Sequence, residues 1–216
     1  MHNLPKTKDL FDLDKTISSE LFLDIDHPWD VLDKIGDFID RWSNMEHTEY
    51  REIAPKVYVA KDAVIWDGAV IVGPCIIGSR SEVRPGAFIR GNVIIGEDTV
   101  IGNSTEVKNS IIFDRARLPH YNYVGDSVIG YKAHMGAGAI TSNLRLDEAE
   151  ISIWYHGKKI TTGRRKLGVM LGDYGQVGCS AVLCPGAIIG RRATVYPLQC
   201  FTGVLGENEK SERRIH

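Results

Sequence analysis

The sequence predicts a mainly β chain: a solenoid of short parallel strands, preceded by a helical cap and interrupted by a protruding hairpin. Three observations predict it. An aliphatic or aromatic residue recurs every six positions from Val59 to Phe113, and again from Leu171 to Phe201. The 22 glycines are spread along the repeat, which marks regular turns rather than a flexible tract. Residues 1–54 lack the repeat altogether.

The N-terminal segment, 1–54, contains WDVLDKIGDFIDRW (29–42), with Trp29, Leu32, Ile35, Ile39 and Trp42 at three- and four-residue steps. This spacing predicts one amphipathic helix, with Asp26 or His27 near its start and Pro28 in its first turn. The end coil of a solenoid exposes its apolar interior, so this segment is expected to cap that end. The repeat then runs through Val59, Ile65, Ile71, Ile77, Val83, Ile89, Ile95, Ile101, Val107 and Phe113. Its second run is Leu171, Val177, Leu183, Ile189, Val195 and Phe201, with Ile129 and Met135 bridging the two. Neither a helix nor an ordinary strand has a period of six, whereas a short strand plus a turn does. Coils of such units stack like residue on like and bury one aliphatic column per face.

The period is expected to break at LPHYNYVGD (118–126), where the coil should bulge outward at Pro119-His120. A second interruption spans about 142–168 within a solenoid taken as 55–206. There Ile151, Ile153 and Tyr155 alternate, HGKK supplies a turn and Ile160 begins a return strand, which predicts a hairpin. The tail, 207–216, is charged and expected to be solvated.

A net charge of −2 gives no field that would gather nucleic acid or an anionic membrane. No apolar run approaches a membrane span and the N-terminus is polar and acidic, so a cytoplasmic protein is expected. Cys75, Cys179, Cys184 and Cys200 form no CxxC pair and show no zinc-type spacing, and no metal is expected.

Chemistry is expected where loops leave a rigid scaffold. Arg90 lies eighteen residues before Lys108, one full coil, so the two should stack on one face. A phosphate between them would suit a guanidinium and an ammonium; the alternative is two solvated surface charges. His120 can accept a proton near neutral pH, or can simply be a surface histidine. Glu106 could orient its ring, and Tyr123 could bond a substrate oxygen or merely pack.

EVK (106–108), HYNYVGDSVIG (120–130) and GAGAITSN (136–143) carry a specific resemblance. Over about residues 60–205 the chain resembles the acetyltransferase domain of bifunctional N-acetylglucosamine-1-phosphate uridyltransferases, and archaeal sugar-1-phosphate enzymes with the same domain. The resemblance implies a left-handed parallel β-helix, a homotrimer, acetyl-CoA as co-substrate and an amino-sugar 1-phosphate as acceptor. It implies His120 as catalytic base with Glu106 orienting it, and Asn143 near the reacting amine. Arg90, Lys108 and Tyr123 would hold the sugar phosphate, with Lys166 supplied across the trimer interface. Ala137 and Cys179 would meet the acetyl-CoA arm, mostly through backbone. The Gly-rich nucleotide loop of the uridylyltransferase half has no counterpart here, so nucleotidyl transfer is not expected.

Three departures border the implied sugar site: His134 for the usual asparagine, Leu144 for an aromatic residue, and a longer hairpin. They leave glucosamine-1-phosphate and galactosamine-1-phosphate both open. A γ-class carbonic anhydrase is disfavoured because no two histidines stand five residues apart. An O-acetyltransferase acting on another sugar and a non-catalytic scaffold are the alternatives.

Overall fold

The computed structural model of the chain describes residues 4–212; residues 1–3 and 213–216 lie outside it. Its body is a parallel β-solenoid. Successive short strands fall into three sheets of nine, seven and seven strands, each coil giving one strand to each sheet. In the nine-stranded sheet the inward column runs Val59, Ile77, Ile95, Ile112, Ile129, Leu171 and Ile189, all fully buried, and ends at Leu205. The six-residue spacing is therefore the spacing between faces, as the sequence predicts.

The phase slips where the sequence does not show it. Phe113 was expected in the column; Ile112 takes the place instead. The step from Val107 to Ile112 is five residues, as is that from Val124 to Ile129, while Leu118 to Val124 keeps six. Coils at the centre of the solenoid thus hold seventeen residues rather than eighteen, as the pairings of Ile95 with Ile112 and of Ile112 with Ile129 require. LPHYNYVGD does not bulge. It is the strand Arg117–His120, a corner, and the strand Tyr123–Gly125, each in register with its neighbours. Gly102 permits the close stacking there, since a Cβ on it would lie 1.6 Å from the Pro119 carbonyl oxygen.

The N-terminal segment covers a flank, which corrects the end-cap expectation. It winds as 3-10 turns over Pro28–Lys34 and an α-helix over Ile35–Ser43, beginning at His27 and Pro28. Leu10, Phe11, Leu21, Trp29, Leu32, Ile35 and Ile39 pack on the outer face of the nine-stranded sheet. That face presents Ile76, Ile94, Ile111, Val128, Met170 and Ile188, the first members of the aliphatic doublets whose second members point inward. Burying each such side chain contributes about 1.5–3 kcal/mol, so the flank rivals the interior as a core. Backbone bonds tie the segment to coil corners: Asp173 N donates to Leu10 O, and Asp114 N to Lys15 O. At the first coil, the strand Tyr50–Ala54 pairs antiparallel with Val57–Ala60, and Tyr50 packs against the interior.

The hairpin forms as expected, Ser152–Tyr155 pairing with Lys158–Thr161 around His156-Gly157, both at positive φ. Its Ile151 and Ile153 are buried in the flank cluster and its Trp154 is exposed. The tail is not wholly solvated. Ser211 is buried, and its N–H donates to Thr194 O at 2.8 Å, so residues up to 212 close the last coil.

Candidate active site

The two seven-stranded sheets remain uncovered by the N-terminal segment. One carries Arg90, Glu106, Lys108 and Tyr123 and is called here the tyrosine face; the other carries Arg117, His120 and His134 and is called the histidine face. They meet at the corner 120–123.

On the tyrosine face the register places Val107 opposite Ile89, so Lys108 stacks over Arg90 as the spacing predicts. No anion is needed between them, because each already has a carboxylate. Arg90 Nη1 lies 2.6 Å from Glu106 Oε1, and Lys108 Nζ lies 3.5 Å from Asp126 Oδ2. Glu106 was expected to orient His120; it bonds Arg90 instead, because adjacent strands bring the two together diagonally. Its hydrogen bond and charge hold the Arg90 pKa above its ordinary value.

Asp126 is a group the sequence reading missed. It is buried at a corner with φ 49°, and accepts from Asn109 Nδ2 at 2.8 Å and Asn143 Nδ2 at 2.5 Å, besides facing Lys108. The available signal was the turn-type VGDS, which reads only as a corner. Asn143 also donates to the Tyr123 hydroxyl at 3.2 Å. Burial, then Asp126 and Glu106, raise the Tyr123 pKa, so it stays a phenol able to donate. Gly125 leaves room for this group: a Cβ there would meet Tyr123 Oη at 2.6 Å and Asn143 Nδ2 at 2.9 Å.

His120 stands exposed at the end of its strand, and its ring has no hydrogen-bond partner among the described residues. The corner beneath it is held by Asn122, also missed. Asn122 is buried; its Nδ2 donates to Gly136 O at 2.8 Å and Ala139 O at 3.1 Å, and its Oδ1 accepts from His120 N at 3.2 Å. A side chain buried this way fixes the corner and the direction in which His120 leaves it.

Successive coils stack Ala137 and Cys179 above His120. Gly138 N donates to His120 O, Ser180 N to Ala137 O, and Leu198 N to Cys179 O. The N–H groups of Ala137 and Cys179 themselves have no partner among the described residues. The structure thus brings the expected base and the expected acetyl-CoA contacts into one column. Lys166 lies apart. Its backbone bridges Leu144, next to Asn143, while its side chain lines a cavity of about 480 Å³ with Asp30, Asp33 and Arg164. Cys75 and Cys184 are held as thiols, burial pushing them up to about 12 and about 11. Among the described residues no group of three or more His, Cys, Asp or Glu could hold a metal, and no helix is long and apolar enough to cross a membrane.

Comparison with known proteins decides the family. The family model described as the GMPPB C-terminal domain matches residues 71–197. The chain belongs to that family. A bifunctional sugar-1-phosphate nucleotidylyltransferase/acetyltransferase of Sulfurisphaera tokodaii is 38% identical over 82% of this chain and 45% of its own length. The bifunctional protein GlmU of Methanococcus maripaludis strain C5 is 38% identical over 80% of this chain and 42% of its own. The chain therefore spans less than half the length of these relatives. Among solved structures, a hexapeptide transferase family protein from Anaplasma phagocytophilum aligns with 71% of this chain and 73% of that one, at 18% identity and a TM-score of 0.41.

Proposed function

We propose that the chain is an acetyltransferase that moves the acetyl group of acetyl-CoA to the amine of an amino-sugar 1-phosphate, with glucosamine-1-phosphate first and galactosamine-1-phosphate second. The observation that carries this reading is the corner column: an unpartnered His120 ring beneath the free N–H groups of Ala137 and Cys179, beside a face bearing Arg90, Lys108 and Tyr123. The names of the Sulfurisphaera and Methanococcus relatives support the same class.

In this mechanism His120 takes a proton from the sugar ammonium. The amine attacks the thioester carbon, a C–N bond forms, the C–S bond breaks, and the nitrogen's remaining surplus proton passes to the departing thiolate, so that coenzyme A leaves as its thiol. Amide donors at the corner meet the oxyanion or the arm of the coenzyme. Holding both reactants in attack geometry supplies roughly 7–11 kcal/mol of the barrier. Arg90, Lys108 and Tyr123 hold the phosphate, which must compete with Glu106 for Arg90, so Glu106 is proposed here as a gate on that cation. Asn143, bonded to both Tyr123 and Asp126, aligns the acceptor side. Lys166 completes the site from a neighbouring copy in a homotrimer. Exposed Val64, Trp66, Val70, Val72 and Phe88 on the two bare faces support such an assembly.

The test is acetyl transfer from acetyl-CoA, read by mass spectrometry of the product, with each amino-sugar 1-phosphate and its unphosphorylated sugar side by side. Turnover confined to a 1-phosphate is expected. Turnover of the neutral sugars at equal efficiency would instead favour an O- or N-acetyltransferase without phosphate recognition, and coenzyme A failing to bind would favour a non-catalytic scaffold.

A further inference from the structure

The two uncovered faces differ in how their charges are met. On the tyrosine face Arg90 and Lys108 each have a carboxylate. On the histidine face an open cavity of about 530 Å³ is lined by Asp98, Arg115, Arg117, Lys132, Ala133 and His134. Three permanent cations face one carboxylate there, and that carboxylate is shared: Asp98 lies 2.8 Å from Arg80 Nε and 3.5 Å from Arg115 Nε. Arg117 has no ion pair or hydrogen bond among the described residues except in the strand ladder; its charge reaches only as far as Glu82 on the same sheet, which Arg84 already holds at 2.9 Å. Among the described residues the Lys132 ammonium rests on the rings of Tyr131 and Tyr174, 5.3 and 5.7 Å from their centroids.

The stacking that builds the fold also enforces this crowding. Arg115 and Lys132 occupy the same corner on consecutive coils, both at positive φ, and Arg117 pairs in register with His134. Neighbouring cations so fixed repel one another unless an anion lies among them. Two guanidinium forks and an ammonium around a concave surface suit the oxygens of a phosphoryl group. The cavity is also within the usual size of small-molecule sites, roughly 300–1,000 Å³.

We propose that the histidine face carries a second anion site, formed by Arg115, Arg117 and Lys132 with His134 at its wall, which takes the phosphoryl or diphosphate group of a small-molecule ligand. This stands independently of the acetyl-transfer reading, because it rests on charge balance away from the tyrosine face.

Pyrophosphate titrated into the whole chain at fixed ionic strength, followed by calorimetry, tests it. Arg117→Ala and Lys132→Ala should each weaken binding by about tenfold or more, Arg117→Lys should retain part of it, and Lys158→Ala, on the hairpin, should leave it within about twofold. Displacement of bound pyrophosphate by a sugar 1-phosphate or by free coenzyme A then tells which metabolite supplies the group. The proposal is overturned if the wild-type chain does not bind pyrophosphate, or if Lys108→Ala abolishes binding while Arg117→Ala and Lys132→Ala do not. It is equally overturned if Arg117→Ala changes only the number of associated copies, which would make this face an interface.

Discussion

The nine-stranded face and the two seven-stranded faces are built from the same unit, yet they treat their outward positions in opposite ways. On the first, the outward residues are Ile76, Ile94, Ile111, Val128, Met170 and Ile188, all buried in one cluster with the N-terminal segment and the hairpin's Ile151 and Ile153. On the other two, the corresponding positions hold Arg90, Lys108, Tyr123, Arg117 and His134, open to water or half-buried. The solenoid interior is common to all three. What the chain does with the other side of each strand separates a stability face from faces free to hold ligands.

The largest expected effect lies on the ligand side. His120→Ala should lower kcat by about 10²–10⁴-fold, as loss of a general base does, with the melting temperature unchanged because the ring has no internal partner. Full activity in this variant would remove His120 from the chemistry. On the covered face, Ile94→Ala should cost about 2–5 kcal/mol in denaturant unfolding, as much as the inward-facing Ile95→Ala. Val70→Ala on the tyrosine face, half exposed, should cost about 0.5 kcal/mol or less in the unassociated chain. Equal losses at Ile94 and Val70 would erase the distinction between the faces.

Asn122→Ala sharpens the comparison at the corner where the bare faces meet. It leaves the buried Ala139 carbonyl without its donor and Gly136 O with only the Ala139 N–H, and should cost about 1–3 kcal/mol of stability while also lowering kcat through His120. A stability loss with unchanged kcat would mean that the corner does not set the ring's position.

A pH dependence is expected on the covered face. Burial pushes the Asp114 carboxyl up to about 6, so the fold favours its protonated form. Its contribution to stability is therefore greatest below the ordinary carboxylate value and falls as pH rises through about 6. Asp114→Asn keeps an acceptor for the Glu97 N–H and removes the charge. Because the group is only half-buried, the gain at pH 7 should be near 1 kcal/mol, fading towards pH 4; a loss of stability at pH 7 would contradict it.

The interior was legible in the sequence because a period of six has few physical solutions. The flank was not. An aliphatic doublet such as Ile94-Ile95 shows two apolar side chains on opposite sides of a strand, and only the position of residues 4–45 shows that both sides are dry. The five-residue steps at Ile112 and Ile129 were hidden because Phe113 also satisfied the count of six. At the candidate site, the spacing of Arg90 and Lys108 was readable, but their partners were not. Glu106 meets Arg90 rather than His120, and Asp126 meets Lys108, through diagonal and corner contacts that depend on local coil length. Asn122 and Asp126 look like ordinary turn residues until their burial is known.

The bonds from the N-terminal segment to coil corners have a consequence for biosynthesis. Asp12 N donates to the Asp173 carboxylate across 161 positions, and Arg164 pairs with Asp33 across 131. Coils can zip onto one another as the ribosome releases them, since each needs only its predecessor. The segment, which leaves the ribosome before the coils, must wait for the latest part of its docking surface, the corner at Asp173 included, with Phe11, Phe22 and Trp29 uncovered meanwhile. Its closure is a long-range step taken after the local ones, and during synthesis it is the part of the chain most in need of a chaperone.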